Sequence, residues 1–144
     1  PMKRTVARSV ALCGVGLHSA AASRVVLRPA QAHEGVYFVR TDLPQTAAAL
    51  IPARPRHVVD TRLCTVLGSP QGPTVATVEH LMAALCGSGV GACRVEVDAP
   101  ELPLLDGSAA PWVAALGEAG SVEAEESSAE GAGAAAAAGD MVSA

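Results

Sequence analysis

The sequence predicts an α+β fold: a single layered domain in which a largely antiparallel or mixed β-sheet carries two helices packed on one face. Three observations predict it. Short runs rich in Val, Leu and Thr alternate with turn signals through the first half of the chain. Thr77 to Leu85 has the apolar spacing of a helix, and a strand-like alternation from Cys93 to Asp98 leads into a second helical segment. At 144 residues the chain has room for one domain with a real core.

Taken in order, Thr5 to Leu12 mixes Val, Thr and Leu with Arg and Ser and reads as a first strand, closed by Gly14-Val15-Gly16-Leu17-His18-Ser19, whose two glycines mark a tight turn. Arg24 to Arg28, stopped by Pro29, and Gly35 to Arg40 read as the second and third strands. Ile51-Pro52-Ala53 suits a short edge segment, because proline cannot donate to a central ladder, and Val58 to Leu67 gives one or two further strands. Gly68-Ser69-Pro70-Gln71-Gly72-Pro73 is a loop that delivers the chain to the central helix. There Val78, Leu81, Met82 and Leu85 recur at i, i+3, i+4 and i+7 as one apolar stripe, with Thr77 placed to cap the start and Gly87-Ser88-Gly89 to end it.

Cys93, Val95 and Val97 form the inward set of the next strand. The turn-rich Pro100 to Ser108 follows, with Ser108 placed to cap a second helix whose core face is Trp112, Ala115, Leu116 and Ala119. After Gly120 the composition shifts to Glu, Ser, Ala and Gly with no large apolar side chain other than Val122 until Met141. Residues 1–120 are therefore expected to form the domain and 121–144 a flexible tail or linker, which cannot bury enough surface to offset its ordering entropy.

Half the residues are hydrophobic, yet Tyr37, Phe38 and Trp112 are the only aromatic ones, so the core is built from Val, Leu and Ala. A net charge of -4 argues against a nucleic-acid surface. The cluster of Arg54, Arg56, His57 and Arg62 leaves a small anion such as a nucleotide diphosphate open. Cys13, Cys64, Cys86 and Cys93 show no CxxC spacing and read as reduced; a zinc site from Cys86, Cys93 and His80 would fit no closed structural spacing. No run approaches a transmembrane segment and no signal-peptide h-region opens the chain. The chain begins at Pro1, so any organellar targeting segment would lie upstream.

The chemistry is expected at Glu79 and His80. A first-turn carboxylate is favoured by the helix N-terminus, which also disfavours an imidazolium, and that suits a general base beside a neutral metal-ligating histidine. The plainer alternative is ordinary dipole complementation by Glu79 and a partly buried histidine. The zinc-protease pattern needs a second histidine four residues on, and Ala84 stands there, so this helix supplies at most one histidine ligand.

Six short strings in order then carry a resemblance: Gly14-Val15-Gly16-Leu17-His18-Ser19, Arg40-Thr41-Asp42-Leu43, Ile51-Pro52-Ala53, Asp60-Thr61-Arg62-Leu63-Cys64-Thr65, Thr77-Val78-Glu79-His80-Leu81 and Pro103-Leu104-Leu105-Asp106-Gly107-Ser108-Ala109-Ala110-Pro111. From Lys3 to about Gly120 the chain resembles the zinc-dependent UDP-3-O-acyl-N-acetylglucosamine deacetylases of lipid A biosynthesis. The resemblance implies the N-terminal half of a two-domain β-α-α-β sandwich, a Zn2+ cofactor and a UDP-linked acylated glucosamine substrate. It implies His80 as a zinc ligand, Glu79 as the general base, Leu63 and Cys64 as substrate-binding residues, and Asp106 either as an outer residue that orients a ligand or base or simply as the anchor of its Asp-Gly turn. His18 either faces the cleft or closes a turn.

The remaining zinc ligands, a lysine and a general-acid histidine belong to the family's C-terminal domain, which this chain does not resemble. The chain is thus expected to be an incomplete part of the enzyme, inactive alone, in the cytoplasm if bacterial or an organelle if eukaryotic. The alternatives are a non-catalytic stand-alone binding or interaction domain of the same origin, and a different metallohydrolase built on the same half-domain.

Overall fold

A mixed five-stranded sheet organises the residues described, 2–126, in a computed structural model. Its strands are β2 (Val10–Val15), β3 (Ala22–Arg28), β4 (Val36–Arg40), β5 (Leu50–Pro52) and β9 (Cys93–Val97), in the order β2-β3-β9-β4-β5. Every pairing is antiparallel except that of β4 with β9. The register places Val10 opposite Leu27, Leu27 opposite Val95, Val95 beside Phe38 and Phe38 opposite Ile51. One apolar row therefore crosses all five strands. Helices α1 (Glu79–Gly87) and α2 (Ala110–Ala119) bring Leu81, Ala84 and Leu85, and Trp112, Leu116 and Ala119, into the same core as that row. The expected α+β layering and the inward faces of both helices are what the structure has.

The other face of the sheet is polar at its centre. Arg94, buried on β9, and the exposed Arg28 on β3 hold the two oxygens of Glu96 at 2.9 and 2.7 Å. Ala30, Ala32, Tyr37, Val39, Ala92 and Ala124 pack as a second, smaller apolar cluster.

Several expectations change. The first strand is two: β1 (Arg4–Val6) pairs with β10 (Ser121–Glu123), and β2 pairs with β3. Val6, Val10 and Leu12 share one alternation parity, so the break at residues 7–9 leaves no mark on the pattern. A three-stranded sheet follows, β6 (Val58–Asp60), β7 (Val66–Gly68) and β8 (Thr74–Ala76), of which β8 is too short to show a period. Buried Arg40, at the end of β4, ties this sheet to the larger one: its guanidinium forks onto Asp42 at 2.8 Å and donates to the Thr74 carbonyl at 2.8 Å. This accounts for the Arg40-Thr41-Asp42 string.

Just past the expected boundary at Gly120 the chain is still paired. β10 lies antiparallel to β1, the Ala124 N–H donates to the Lys3 carbonyl, and the Ala32 N–H donates to the Glu125 carbonyl. Ala124 is 3% exposed. A small side chain suffices here because the backbone at Ala124 and Glu125 is tied to Lys3 and to Ala32. The rest of the expected tail, residues 127–144, lies outside the described residues.

Two substitutions test this packing. Phe38→Ala, at the middle of the cross-sheet row, is expected to destabilise the fold by about 3–5 kcal/mol in denaturant titrations followed by the single tryptophan, Trp112. Ala124→Asp should lower the melting temperature well beyond Val122→Asp, because it sets a carboxylate in the second apolar cluster whereas Val122 is half exposed. Equal, negligible shifts would count against the packing of Ala124 in that cluster.

Candidate active site

A cleft of about 700 Å3 opens between the β6–β7 hairpin tip and the turn after β2. It is lined by His18 and Ser19 on one wall, Asp60, Arg62, Leu63, Cys64 and Val66 on the other, and Thr74, Ala76, Pro100 and Glu101. The hairpin explains why Leu63 and Cys64 are presented: the link from β6 to β7 leaves Leu63 84% exposed and Cys64 partly buried. Arg62 forms an ion pair with Asp60 at 3.0 Å, and hydrogen bonds from Arg62 hold the Asp60 carboxyl down at about 2. Of the basic cluster, Arg62 lines the cleft while Arg54, Arg56 and His57 do not.

Glu79 and His80 are not among the residues that line this cleft; they are half-buried in the first turn of α1. The Thr65 N–H donates to both Glu79 carboxylate oxygens at 3.3 Å, and the Thr65 carbonyl accepts the Thr77 N–H at 2.9 Å. Thr65 therefore staples the base candidate to the strand entered directly from Cys64. Thr77 does not cap α1, contrary to expectation. Val78 occupies the cap position, and Thr77 has φ +60°, a region a β-branched side chain rarely adopts. Its hydroxyl donates instead to Glu101 at 2.7 Å.

Asp106 builds the turn before α2. Its carboxylate accepts from the Ser108 N–H at 2.9 Å and the Ser108 hydroxyl at 2.7 Å, and that hydroxyl accepts the Ala110 N–H at 3.2 Å. Ser108 thus serves the start of α2 from one residue ahead of the cap position, Ala109. The Ser108 bonds lower the Asp106 pKa, and the nearby His80 adds a smaller pull in the same direction. Asp106 is accordingly both a turn anchor and a neighbour of His80.

His18 lines the cleft from within a turn that Gly16 closes with Ala20 and Ala21, and its own N–H donates to Glu101. The two glycines of its motif are there for a reason other than turn geometry. A side chain at Gly14 would press on Pro103, and one at Gly16 would collide with the Glu101 carboxylate and the Ser19 hydroxyl.

Glu101 was not among the expected site residues. It is 2% exposed, and its carboxylate accepts from the N–H groups of His18 and Ser19 at 2.9–3.2 Å as well as from Thr77. Burial raises its pKa, but the bonds from Ser19, Thr77 and His18 together outweigh it and the net shift is downward. The available sequence signal was an acidic residue in an otherwise apolar Pro-rich string, Pro100-Glu101-Leu102-Pro103.

Among the described residues no group of three His, Cys, Asp or Glu side chains is placed to hold a metal ion. His80 alone does not make a zinc site, and the described residues by themselves do not fit one. Cys93 is buried with its thiol pushed up to about 12, and Cys86 is exposed, so the alternative Cys86, Cys93 and His80 set is not assembled.

Because the folded-state pKa of Glu101 is depressed, its contribution to stability is complete above the ordinary carboxylate range and is lost as pH falls through the folded value. The wild-type melting temperature should therefore drop more steeply below about pH 4.5 than that of Glu101→Gln. Parallel curves would remove Glu101 as a titrating stabiliser.

Comparison with known proteins places this arrangement. The family model described as UDP-3-O-acyl N-acetylglycosamine deacetylase matches residues 3–133. A UDP-3-O-acyl-N-acetylglucosamine deacetylase of Anaeromyxobacter dehalogenans is 57% identical over 118 residues, covering 82% of this chain and 37% of that protein. Those of Myxococcus xanthus and Haemophilus influenzae are 51% and 49% identical over 85% and 82% of the chain, and 38% of each relative is covered. The chain thus spans 37–38% of the length of these curated relatives.

Proposed function

The chain belongs to the UDP-3-O-acyl N-acetylglycosamine deacetylase family, and from that premise we propose that it forms the N-terminal part of an enzyme hydrolysing the N-acetyl group of UDP-3-O-acyl-N-acetylglucosamine. The observation that supports the reading most is the pair of hydrogen bonds from the Thr65 N–H to the half-buried Glu79 carboxylate, because Thr65 stands between Cys64 and Val66, which line the cleft.

In this reading Glu79 is the general base that takes the proton of the attacking water. Its two oxygens share one N–H donor, so each keeps acceptor capacity. His80 would be one ligand of a Zn2+ whose other ligands would come from polypeptide beyond the described residues, and the bound metal would supply Lewis acidity. Asp106, close enough to sense His80, acts behind it to favour its orientation. Leu63 and Cys64 contact substrate, with Val66, Ala76 and Pro100 offering apolar surface to an acyl chain and Arg62 a cation near the cleft for a phosphate oxygen. Since the matched relatives are bacterial, the proposed setting is bacterial cytoplasm. Among the described residues no helix is long and apolar enough to cross a membrane.

The test is a chimera in which residues 1–126 replace the corresponding part of the Anaeromyxobacter dehalogenans relative. Glu79→Gln should retain zinc and lose about 10²–10⁴-fold in turnover, the usual cost of removing a general base, while His80→Ala should lose the metal. Wild-type turnover in the zinc-loaded Gln variant would remove Glu79 from the base role. A chimera that folds and holds zinc but never deacetylates would favour the non-catalytic binding domain.

A further inference from the structure

Glu101 is buried and ionisable, and the donors that meet it among the described residues are neutral, an arrangement that costs desolvation and persists where it fixes geometry. Its donors come from two separate parts of the chain. Two are the backbone N–H groups of His18 and Ser19, in the turn that forms one wall of the cleft. The third is the hydroxyl of Thr77, two residues ahead of Glu79 and held in the left-handed region. The backbone around Glu101 is engaged as well: it bridges Ala76, the Ala76 N–H donates to the Pro100 carbonyl, and the Leu102 N–H donates to the Ala76 carbonyl. Gly16 lacks the Cβ that would collide with this carboxylate. One side chain thus joins the His18 wall, the end of β8 and the entry to α1.

We propose that Glu101 is a positioning residue for the deacetylation, holding the His18 turn and the strained Thr77 so that Glu79 and His80 meet the cleft in a fixed orientation. The inference rests on the proposed activity for its catalytic half and on the structure alone for the clamp. The donors also predict how substitutions sort. Glutamine can keep its carbonyl oxygen toward the His18 and Ser19 N–H groups and turn its NH2 toward Thr77, whose hydroxyl is able to accept. Alanine leaves two N–H groups and a hydroxyl unpaired. Thr77→Val removes a single donor and preserves shape.

The clamp is read first by hydrogen exchange on this chain. Glu101→Ala should speed exchange of the His18 and Ser19 amides while those of β3 and β9 stay protected, and Glu101→Gln should restore most of the protection. Unchanged exchange at His18 and Ser19 in Glu101→Ala overturns the clamp. In the chimera, assayed well below each variant's melting temperature, Glu101→Ala should lower kcat by about 10–10²-fold, the scale of a misplaced reacting group, with a smaller change in KM. Thr77→Val should fall between Glu101→Ala and wild type, and Glu101→Gln near wild type. Loosened amides with undiminished kcat overturn the positioning role, and so does a Gln variant as slow as Ala although its amides are protected. Absence of activity in the unsubstituted chimera overturns the deacetylase reading and this role with it, while the exchange data still decide the clamp.

Discussion

A carboxylate taken out of water without a cation beside it must be met by hydrogen-bond donors, and meeting that demand at Glu101 draws together segments that the chain order keeps far apart. His18 is 83 residues from Glu101 and Thr77 is 24. Once these donors converge, the conformation of Thr77 is no longer free, and Thr77 directly precedes the helix that carries Glu79 and His80. The left-handed backbone of a β-branched residue costs about 1–3 kcal/mol, so it persists only where its surroundings over-determine it. Here those surroundings are the Glu101 carboxylate on the hydroxyl and the Thr65 carbonyl on the N–H.

The cleft is built on two kinds of support. Beneath it lies the cross-sheet apolar row and the two helices, a core of close-packed Val, Leu, Phe and Trp side chains. Around it lie polar ties: Arg40 to Asp42 and Thr74, Thr65 to Glu79, Asp106 to Ser108. Apolar packing resists volume change but is weakly directional, whereas hydrogen bonds fix angles. The division suits a site in which a small hairpin sheet must be held in register against a larger one.

The proposed metal chemistry is where the family resemblance and the described residues part. The resemblance implies zinc, while the described residues bring His80 as one proposed ligand and no three-donor group. The chain spans 37–38% of its relatives' length, and in the proposed function the other ligands would come from polypeptide beyond the described residues.

The sequence by itself determined the inward faces and the family. Alternation along β3, β4 and β9 and the 3.6-residue period of α1 and α2 are local properties of side chains, and six ordered strings specify a lineage even where each is short. Tertiary structure alone decided the rest. Val6 and Val10 share a parity whether or not the strand breaks between them, β10 is held by backbone bonds that any composition can make, and Thr77 reads as a cap until its hydroxyl is claimed from a distance. Gly14 and Gly16 read as turn formers, yet what they provide is room for Pro103 and Glu101. A pattern records what each residue does to its neighbours in the chain. A hydrogen bond across 83 residues, or a missing Cβ that makes room for a remote side chain, leaves no such record and exists only once the chain has folded.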